Sequence, residues 1–431
     1  MDSIAPAGGS AGFTLPSASD LGHAIQLRLD ELARFSDDPE KITRLYLSPA
    51  HRQAADCVAG WMQSAGMSTR LDPLATLIGT YSAKDEGAPH LLIGSHIDSV
   101  RDAGKFDGSL GVILAIELVK RLHAAGVRLP FGLTILAFGD EEGVRFSSTL
   151  SGSLAVAGRF DPKILDEVDE DGISRRAALA TFGCPPGDPT AGWHGQTALG
   201  YLETHIEQGP VLEAENRPLG LVTAIAGATR GVCRVSGQAG HAGTVPMVLR
   251  KDALTAAAEM LLAVERIARS TLGLVGTVGR LHIPSSAVNT IPGTVEFSLD
   301  IRSESDSVRK AAAEEITAAL TAIASSRAVK ADVVFNYDAP AAECDPLLRA
   351  VLAEAAEATL QKPVRLLASG AGHDAMVFRN RMPFSMMFVR SRAGVSHHPD
   401  EFSSEADIGL AALTMFRAVL LLARRHGATE V

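Results

Sequence analysis

Two kinds of hydrophobic spacing alternate along the first third of the chain. Residues 20–35, 50–66 and 109–124 carry apolar side chains at the three- and four-residue spacing of helices. Between them, the short apolar runs 91–93 and 133–138 are typical of buried strands. Strands that alternate with helices predict an α/β layer built on a mostly parallel sheet.

The pattern changes between residues 222 and 338. Strands are expected at 230–236, 272–281, 294–302 and 331–336, and helices at 251–268 and 304–325. The order β-α-β-β-α-β is the signature of a ferredoxin-like module. The alternation of helices and strands then resumes from about residue 340 and ends in a helix at 405–425.

This order predicts one α/β domain that is interrupted by a smaller inserted domain. The expected parts are residues 1–221, the inserted residues 222–338, and residues 339–431. A chain of 431 residues is long enough for two domains, and its 46% hydrophobic and 21% charged residues are typical of a soluble globular protein. Residues 1–20 lack Lys and Arg, so we expect a loose leader there rather than a signal peptide.

The net charge and the cysteine spacing limit which partners and which cellular compartment we expect. The formal net charge is -10 without a basic cluster, which argues against nucleic acid or an anionic membrane as a partner. The apolar runs are expected to be too short and too interrupted to span a bilayer. The four cysteines show no C-x-x-C spacing, so we expect reduced thiols and a cytoplasmic location.

The strongest chemical signal follows the apolar run 91–93. His96 lies in the stretch GSHIDSV just past the predicted strand, and Asp107 follows among glycines in GKFDG. The carboxyl edge of a parallel sheet is where α/β proteins place their sites, and His and Asp are ligands for a divalent metal such as Zn²⁺. A single histidine after a strand is more often an ordinary hydrogen-bonded residue, but the two residues together favour a metal site.

Three consecutive acids, Asp140, Glu141 and Glu142, directly follow the predicted strand 133–138. Beside a buried strand they would repel one another unless cations neutralise them, although a solvated acidic turn gives the same pattern. With the histidine and aspartate above, a metal pair is the better account. One glutamate then binds metal while its neighbour takes a proton from water.

Two further histidines lie in predicted polar turns. His205 occurs in THIEQGP, and His397 occurs in VSHHP. Either residue alone would be interpreted as a surface histidine, because the chain has 13 histidines and most of them are not expected to take part in a functional site.

Eight stretches occur in order along about residues 40–425: GSHIDSV, DAGKFDGSLG, FGDEEGVRF, HIEQGPVLE, GHAGTVPM, NTIPG, SGAGHDAM and SHHP. Together they resemble the hydantoinase/carbamoylase amidase family of the aminoacylase-like two-metal amidohydrolases. The resemblance implies a two-metal catalytic domain, a smaller ferredoxin-like lid or dimerisation domain, and a homodimer.

The resemblance also assigns the metal ligands and the catalytic acid. Glu141 resembles the catalytic acid/base. Two divalent ions are expected, as Mn²⁺ or Zn²⁺, with Co²⁺ also suited to nitrogen and oxygen ligands. The residues that match the ligands are His96 and His205 for one ion, Glu142 and His397 for the other, and Asp107 as the bridge.

Substrate contacts are expected mainly from the inserted domain. His241, in GHAG, resembles the histidine that reaches the substrate oxygen, across a dimer. Asn289 and Arg302 resemble substrate anchors, and the guanidinium of Arg302 suits a carboxylate. Gln208 and Gly370 match positions near the bound substrate.

The activity implied is hydrolysis of a C–N bond in a small ureido substrate that carries a carboxylate. The stretches DAGKFDGSLG, EEGVRF and GHAGTVPM are most like those of allantoate amidohydrolases, which release ammonia and carbon dioxide in purine catabolism. N-carbamoyl-L-amino-acid hydrolases and β-ureidopropionases share the ligands and remain alternatives. An inactive binding protein is disfavoured because every ligand position and Glu141 are present, and a peptidase-like aminoacylase is disfavoured by His205, where such relatives usually have an acid.

One departure from the family pattern is visible. After Asp72 the family usually has a Gly-Asn pair, and here Ala75 and Thr76 stand in that place. Neither position is a metal ligand, so the departure bears on local geometry or substrate preference rather than on catalysis.

Overall fold

The computed structural model describes residues 14–190, 192–193, 197–284 and 287–427. The chain divides into two compact units. The larger unit comprises the chain up to Thr223, Cys344–Leu367 and the chain from His373 onward, and the smaller unit comprises Ala224–Glu343 and Ala368–Gly372. The leader expected at residues 1–20 lies outside the described residues as far as residue 13, and a helix already begins at Ala18.

The elements of the described residues are numbered in chain order. The helices are α1 (Ala18–Leu32), α2 (Pro49–Ser64), α3 (Ser109–Ala124), α4 (Ser151–Val156), α5 (Arg175–Phe182), α6 (Val211–Ala214), α7 (Ala253–Ser270), α8 (Asp306–Ser326), α9 (Pro346–Leu360) and α10 (Glu405–Arg425). The strands are β1 (Ser68–Leu71), β2 (Leu77–Tyr81), β3 (His90–His96), β4 (Gly132–Phe138), β5 (Ala198–Ile206), β6 (Leu219–Ile225), β7 (Gly227–Ser236), β8 (Gly240–His241), β9 (Leu274–Thr277), β10 (Leu281–His282), β11 (Thr290–Ile291), β12 (Thr294–Ser303), β13 (Lys330–Ala339), β14 (Ala342–Glu343), β15 (Arg365–Ser369) and β16 (Phe384–Val389).

The larger unit is built on a mixed sheet with the strand order β1-β2-β4-β3-β5-β16-β6. The central strands β4, β3, β5 and β16 are parallel to one another, and the pairings at either side of this group, β2 with β4 and β16 with β6, are antiparallel. β3 and β4 are buried along their whole length, which explains their continuous apolar sequences. The predicted α/β fold is therefore confirmed, with parallel pairing confined to the middle of the sheet.

Helix α10 lies in the core of the larger unit and packs against α1 and α9. Ile408, Met415, Phe416 and Val419 on this helix are fully buried. By length and composition alone, α10 is apolar enough to cross a membrane, so the expectation that no segment qualifies is wrong. However, 72% of its apolar window is buried inside the protein, as in a core helix.

The smaller unit folds as β7-α7-β9-β12-α8-β13. Its antiparallel sheet has the order β13-β7-β12-β9, which is the ferredoxin-like arrangement. Alternate residues of β12 pack into a core shared with α7 and α8, as the period of two predicts. The single continuous strand expected at 272–281 is wrong, because residues 278–280 separate β9 from β10. Both short strands pair with β12.

Candidate metal centre

The carboxyl ends of three parallel strands carry candidate ligands. His96 is the last residue of β3, His205 is the penultimate residue of β5, and Glu141 and Glu142 follow the end of β4. Because β4, β3 and β5 are adjacent and parallel, these ends meet at one edge of the sheet. The expectation of a polar turn around His205 is wrong, since this residue lies within a strand and is buried.

Asp107 lies at the centre of the cluster. Its Oδ1 atom is 3.0 Å from Nε2 of His205 and 3.4 Å from Nε2 of His96, and its Oδ2 atom is 3.3 Å from Nε2 of His397. Oε2 of Glu142 is 3.4 Å from the same nitrogen of His397. The structure thus brings together the five residues that match the family's ligands, in overlapping groups whose ligand atoms lie within 4.8 Å of one another.

Left-handed backbone conformations allow the loops that carry the candidate ligands to approach one another. Gly108 has a φ of 64°, and a Cβ at this position would lie 2.4 Å from Cε1 of His96. Only glycine accepts both constraints, so it permits α3 to begin directly against the imidazole ring. His397 also adopts a left-handed conformation, with a φ of 56°, in the loop that precedes α10.

Asp98 is a functional residue that the sequence reasoning missed. Its two carboxylate oxygens accept the backbone N–H groups of Glu141 and Glu142, each at 3.3 Å. Its Oδ1 atom also lies 3.4 Å from Nδ1 of His96. Asp98 therefore joins the end of β3 to the acidic turn after β4. In the sequence, its position two residues after His96 was the one signal that it belongs to the site.

The first acid of that turn points away from the cluster. The carboxylate of Asp140 pairs with the fully buried Arg175 and accepts a hydrogen bond from Ser151. Arg175 also donates to Glu167, at 3.2 Å. Burial raises the pKa of Asp140 to about 7, although the charge of Arg175 opposes the shift. The three acids therefore do not act as one group, because only the second and third face the histidines.

Burial perturbs the ionisation of the acids that face the cluster. It raises the pKa of Glu141 well above its ordinary value, against the opposing charge of His96. It raises the pKa of Glu142 to about 7, together with the charge of Asp107. The hydrogen bond to Asp107 raises the pKa of His397 to about 9. Oε1 of Glu142 has no hydrogen-bond partner among the described residues. Buried excess carboxylates with imidazole neighbours fit divalent cations such as Zn²⁺, Mn²⁺ or Co²⁺.

Gln208 belongs to the same cluster. Its Nε2 atom donates to Oδ2 of Asp107 at 2.9 Å and to Oγ of Ser396 at 3.1 Å. Its φ of 55° is left-handed and turns the side chain off the end of β5. Gln208, which the family resemblance places near substrate, therefore contacts the predicted bridging carboxylate directly.

The remaining predicted residues lie in the smaller unit and form two pairs. His241 lies on β8, and Asn289 directly precedes β11, the antiparallel partner of β8. Both residues are exposed, and the Ala242 N–H donates to the Asn289 carbonyl at 2.9 Å. Arg302 lies on β12 and donates from Nη1 to the carbonyl of Gly370 at 2.6 Å.

Comparison with known proteins agrees with this arrangement. Residues 92–421 match the peptidase family M20/M25/M40. An allantoate deiminase of Arabidopsis thaliana is 39% identical over 446 residues, covering 94% of this chain and 84% of that protein. An N-carbamoyl-L-amino acid amidohydrolase of Geobacillus stearothermophilus is 38% identical, covering 94% and 99%. The crystal structure of a hydantoinase/carbamoylase family amidase from Burkholderia ambifaria superposes with a TM-score of 0.88 at 32% identity, covering 96% and 99%. The chain belongs to the hydantoinase/carbamoylase amidases of the M20/M25/M40 family.

As a hydantoinase/carbamoylase amidase, the protein is a metal-dependent hydrolase. The region matched by the family begins before His96 and ends after His397, so it contains the whole cluster. In the loop after Asp72, Ala75 adopts a left-handed conformation, with a φ of 64°, and is fully buried. Asp72 stabilises this loop by accepting the N–H of Thr76 at 2.8 Å.

Proposed function

We propose that this amidase hydrolyses a ureido C–N bond of allantoate and releases ammonia and carbon dioxide. The observation that carries the proposal is the cluster of histidines and carboxylates around Asp107. Support for the substrate comes from the similarity to allantoate deiminases of Arabidopsis thaliana and Glycine max, at 39% and 38% identity. N-carbamoyl-L-amino acids are the second candidate, because a hydrolase of these compounds is 38% identical over nearly its whole length.

The proposal includes two divalent ions, as Mn²⁺ or Zn²⁺. His96 and His205 would hold one ion, Glu142 and His397 the other, and Asp107 both. When bound, such ions polarise the scissile carbonyl and acidify a water molecule. The short distances of the Asp107 carboxylate oxygens to three imidazoles, 3.0 to 3.4 Å, support this division of ligands.

Glu141 is the proposed general base and acid. Its carboxylate takes the proton of the attacking water and then delivers it to the leaving nitrogen. Its Oε2 atom is 3.9 Å from Nε2 of His96, farther than the distances between the proposed ligands. The hydrogen bond from its backbone N–H to Asp98 fixes the turn that presents it.

The smaller unit is proposed to recognise the substrate. A groove of about 860 Å³ in this unit is lined by apolar side chains together with Arg230, Arg280 and Arg302, and by the acids Asp300 and Glu304. The three guanidinium groups offer donors for a carboxylate. In the proposal Arg302 binds this carboxylate and Asn289 the ureido group. His241 would stabilise the charge that develops on the substrate oxygen, a role worth about 3–4 kcal/mol in comparable sites.

The smaller unit is also proposed to serve as a lid and to form a homodimer that delivers His241 to the partner's site. Met247, Val248 and Leu249 follow His241 closely and are 75%, 91% and 68% exposed, an apolar surface typical of an interface. A cytoplasmic location, where the four cysteines stay reduced, completes the proposal.

An assay panel tests the substrate. After chelation and reloading with Mn²⁺, we expect turnover of allantoate to exceed that of N-carbamoyl-L-amino acids and β-ureidopropionate. Faster turnover of an N-carbamoyl-L-amino acid would assign the second candidate. Full activity in a demonstrably metal-free preparation would exclude the proposed ions.

Mixing two inactive variants tests the shared site. His241→Ala and Glu141→Gln subunits should regain partial activity when they exchange, because one site of the mixed dimer then has both intact residues. Failure to regain activity, with exchange shown by a tag on one subunit, would exclude delivery of His241 by the partner.

A further inference from the structure

Glu401 is a buried carboxylate that none of the proposed catalytic steps uses. It lies in the loop after His397, before α10 begins, and is 5% exposed. An ionised side chain at such a position is costly to bury unless donors surround it. The donors around Glu401 come from the two loops that supply Asp107 and His397.

One oxygen of Glu401 binds the backbone of the first loop. Oε1 accepts the N–H of Phe106 at 2.9 Å and the N–H of Asp107 at 3.1 Å. These groups are separated from Glu401 by more than 290 positions in the sequence. The contact therefore fixes the backbone of the proposed bridging residue from a distant part of the chain.

The other oxygen faces the second loop. Oε2 lies 3.2 Å from Oγ of Ser396, and that hydroxyl also lies 2.9 Å from Oδ2 of Asp107. Ser396 immediately precedes His397. Glu401 thus contacts the backbone of Asp107 and, through Ser396, its side chain, together with the residue next to His397.

The first loop leaves room for this carboxylate. A Cβ at Gly104 would lie 2.3 Å from Oε1 of Glu401, so a side chain at this position would displace the carboxylate. The ring of Phe402 packs edge-on against the ring of Phe106, with centroids 6.0 Å apart, and holds the two loops in register. The loop sequences are therefore matched to the presence of a carboxylate at position 401.

We propose that Glu401 is a positioning residue that fixes Asp107 and His397 relative to each other before metal binds. The inference rests on the proposed metal centre and deepens it. Residues that orient metal ligands from behind typically change metal affinity by about 10- to 100-fold when they are removed. Glu401 acts in this way on two ligands at once.

Calorimetric titration of the chelated full-length protein with Mn²⁺ tests the proposal without measuring turnover. Glu401→Ala should bind Mn²⁺ about 10- to 100-fold more weakly than wild type. Glu401→Gln should bind nearly as tightly as wild type, because its amide oxygen still accepts both N–H groups and its NH₂ group donates to Ser396. If Glu401→Ala does not fold, Glu401→Asp, whose carboxylate is drawn back by one methylene, should show the same loss.

Asp72→Ala is the matched control. Asp72 is also a buried carboxylate that accepts two backbone N–H groups, those of Leu74 and Thr76 at 2.8 Å each, but it contacts none of the proposed ligands. This variant should lower the melting temperature and leave Mn²⁺ affinity unchanged.

The possible outcomes distinguish a failure of the proposed metal centre from a failure of the positioning role of Glu401. A wild-type protein that binds no Mn²⁺ would overturn the metal centre and this inference with it. A wild-type protein that binds Mn²⁺, with equal affinity in Glu401→Ala, would overturn the positioning role alone. A failure of Glu401→Gln to restore affinity, or an equal loss in Asp72→Ala, would also overturn it.

Discussion

Asp300 binds Arg302 through both oxygens of its carboxylate. Nε of Arg302 lies 2.7 Å from Oδ1, and Nη2 lies 2.9 Å from Oδ2. The two residues are two positions apart on β12, so their side chains lie on the same face of the sheet. A guanidinium has five N–H donors, and with the bond from Nη1 to Gly370 one donor remains on each terminal nitrogen. Arg302 is therefore oriented before a substrate carboxylate arrives.

The first prediction concerns this oriented guanidinium. Arg302→Lys keeps the charge but loses the planar donors, so kcat/KM for allantoate should fall about tenfold or more, which corresponds to about 1.4 kcal/mol of transition-state stabilisation. Asp300→Asn leaves Arg302 in place but weakens its orientation, so we expect a smaller loss, mainly as a higher KM. Steady-state kinetics of both variants checks this, and unchanged kinetics for Arg302→Lys would refute the carboxylate anchor.

The second prediction separates two adjacent acids. Glu142→Gln should lose metal, because Glu142 is a proposed ligand that lies 3.4 Å from His397. Glu141→Gln should keep its metal and lose most turnover, because the amide cannot take a proton from water. Metal content by mass spectrometry, measured beside kcat, distinguishes them. Loss of metal in Glu141→Gln would reverse the two assignments.

Periodicity and local motifs were enough to predict only part of the cluster, namely His96, Asp107 and the acidic turn after β4. His96 and Glu142 follow continuous apolar runs, and the carboxyl ends of parallel strands meet at one edge. His205 was harder, because β5 lies in a stretch without clear periodicity and its burial comes from the strands on either side. The family resemblance, rather than the pattern, brought this residue into the predicted site.

Apart from the short spacing between Asp98 and His96, the sequence offered no signal for the supporting contacts. Each of Asp98, Arg175 and Glu401 has a hydrogen-bond partner far away in the sequence: Glu142 at 44 positions, Asp140 at 35 and Phe106 at 295. Because Asp, Glu and Arg are mostly exposed in proteins, the sequence alone predicts a surface position even for a charged residue that is buried. Only the tertiary structure shows which of these side chains turn inward.

The third prediction concerns Arg175 and its neighbour. Arg175 is fully buried against Asp140, so Arg175→Met leaves the buried carboxylate of Asp140 without its ion-pair partner and should lower the free energy of unfolding by about 3–5 kcal/mol. Arg176 pairs with Asp166 at the surface, where both side chains are more than half exposed, and Arg176→Met should cost less than about 1 kcal/mol. Urea unfolding of both variants measures the difference. Equal losses would show that the buried pair contributes no more than the exposed one.

His51 is a buried histidine in a structural role. Its side chain is fully buried near the start of α2, its Nδ1 atom accepts the N–H of Leu47 at 3.0 Å, and its ring lies 4.9 Å from that of Phe182. Burial lowers the pKa of His51 to about 4, against the charge of Asp98 and with the help of Arg44. The folded protein therefore holds this imidazole neutral at pH values where the unfolded chain protonates it.

The fourth prediction follows from the direction of that shift. Above the ordinary histidine pKa both states are neutral at His51, so its contribution to stability is fully present. As the pH falls from 6.5 towards 4, only the unfolded state takes up the proton, and the stability that depends on a neutral His51 is lost. Between pH 7.5 and pH 5 this loss amounts to about 2 kcal/mol.

His51→Asn tests this linkage, because its side-chain oxygen can still accept the Leu47 N–H but does not titrate. The variant should be less stable than wild type at pH 7.5, since a smaller side chain fills the same space, and its stability should fall about 2 kcal/mol less on acidification. Urea titrations at both pH values, with chelator present because metal binding is itself pH-dependent, give the two free energies. Other titrating groups cancel when wild type and variant are compared. Parallel pH profiles for wild type and His51→Asn would show that His51 titrates alike in the folded and unfolded states, and the account of its burial would then be wrong.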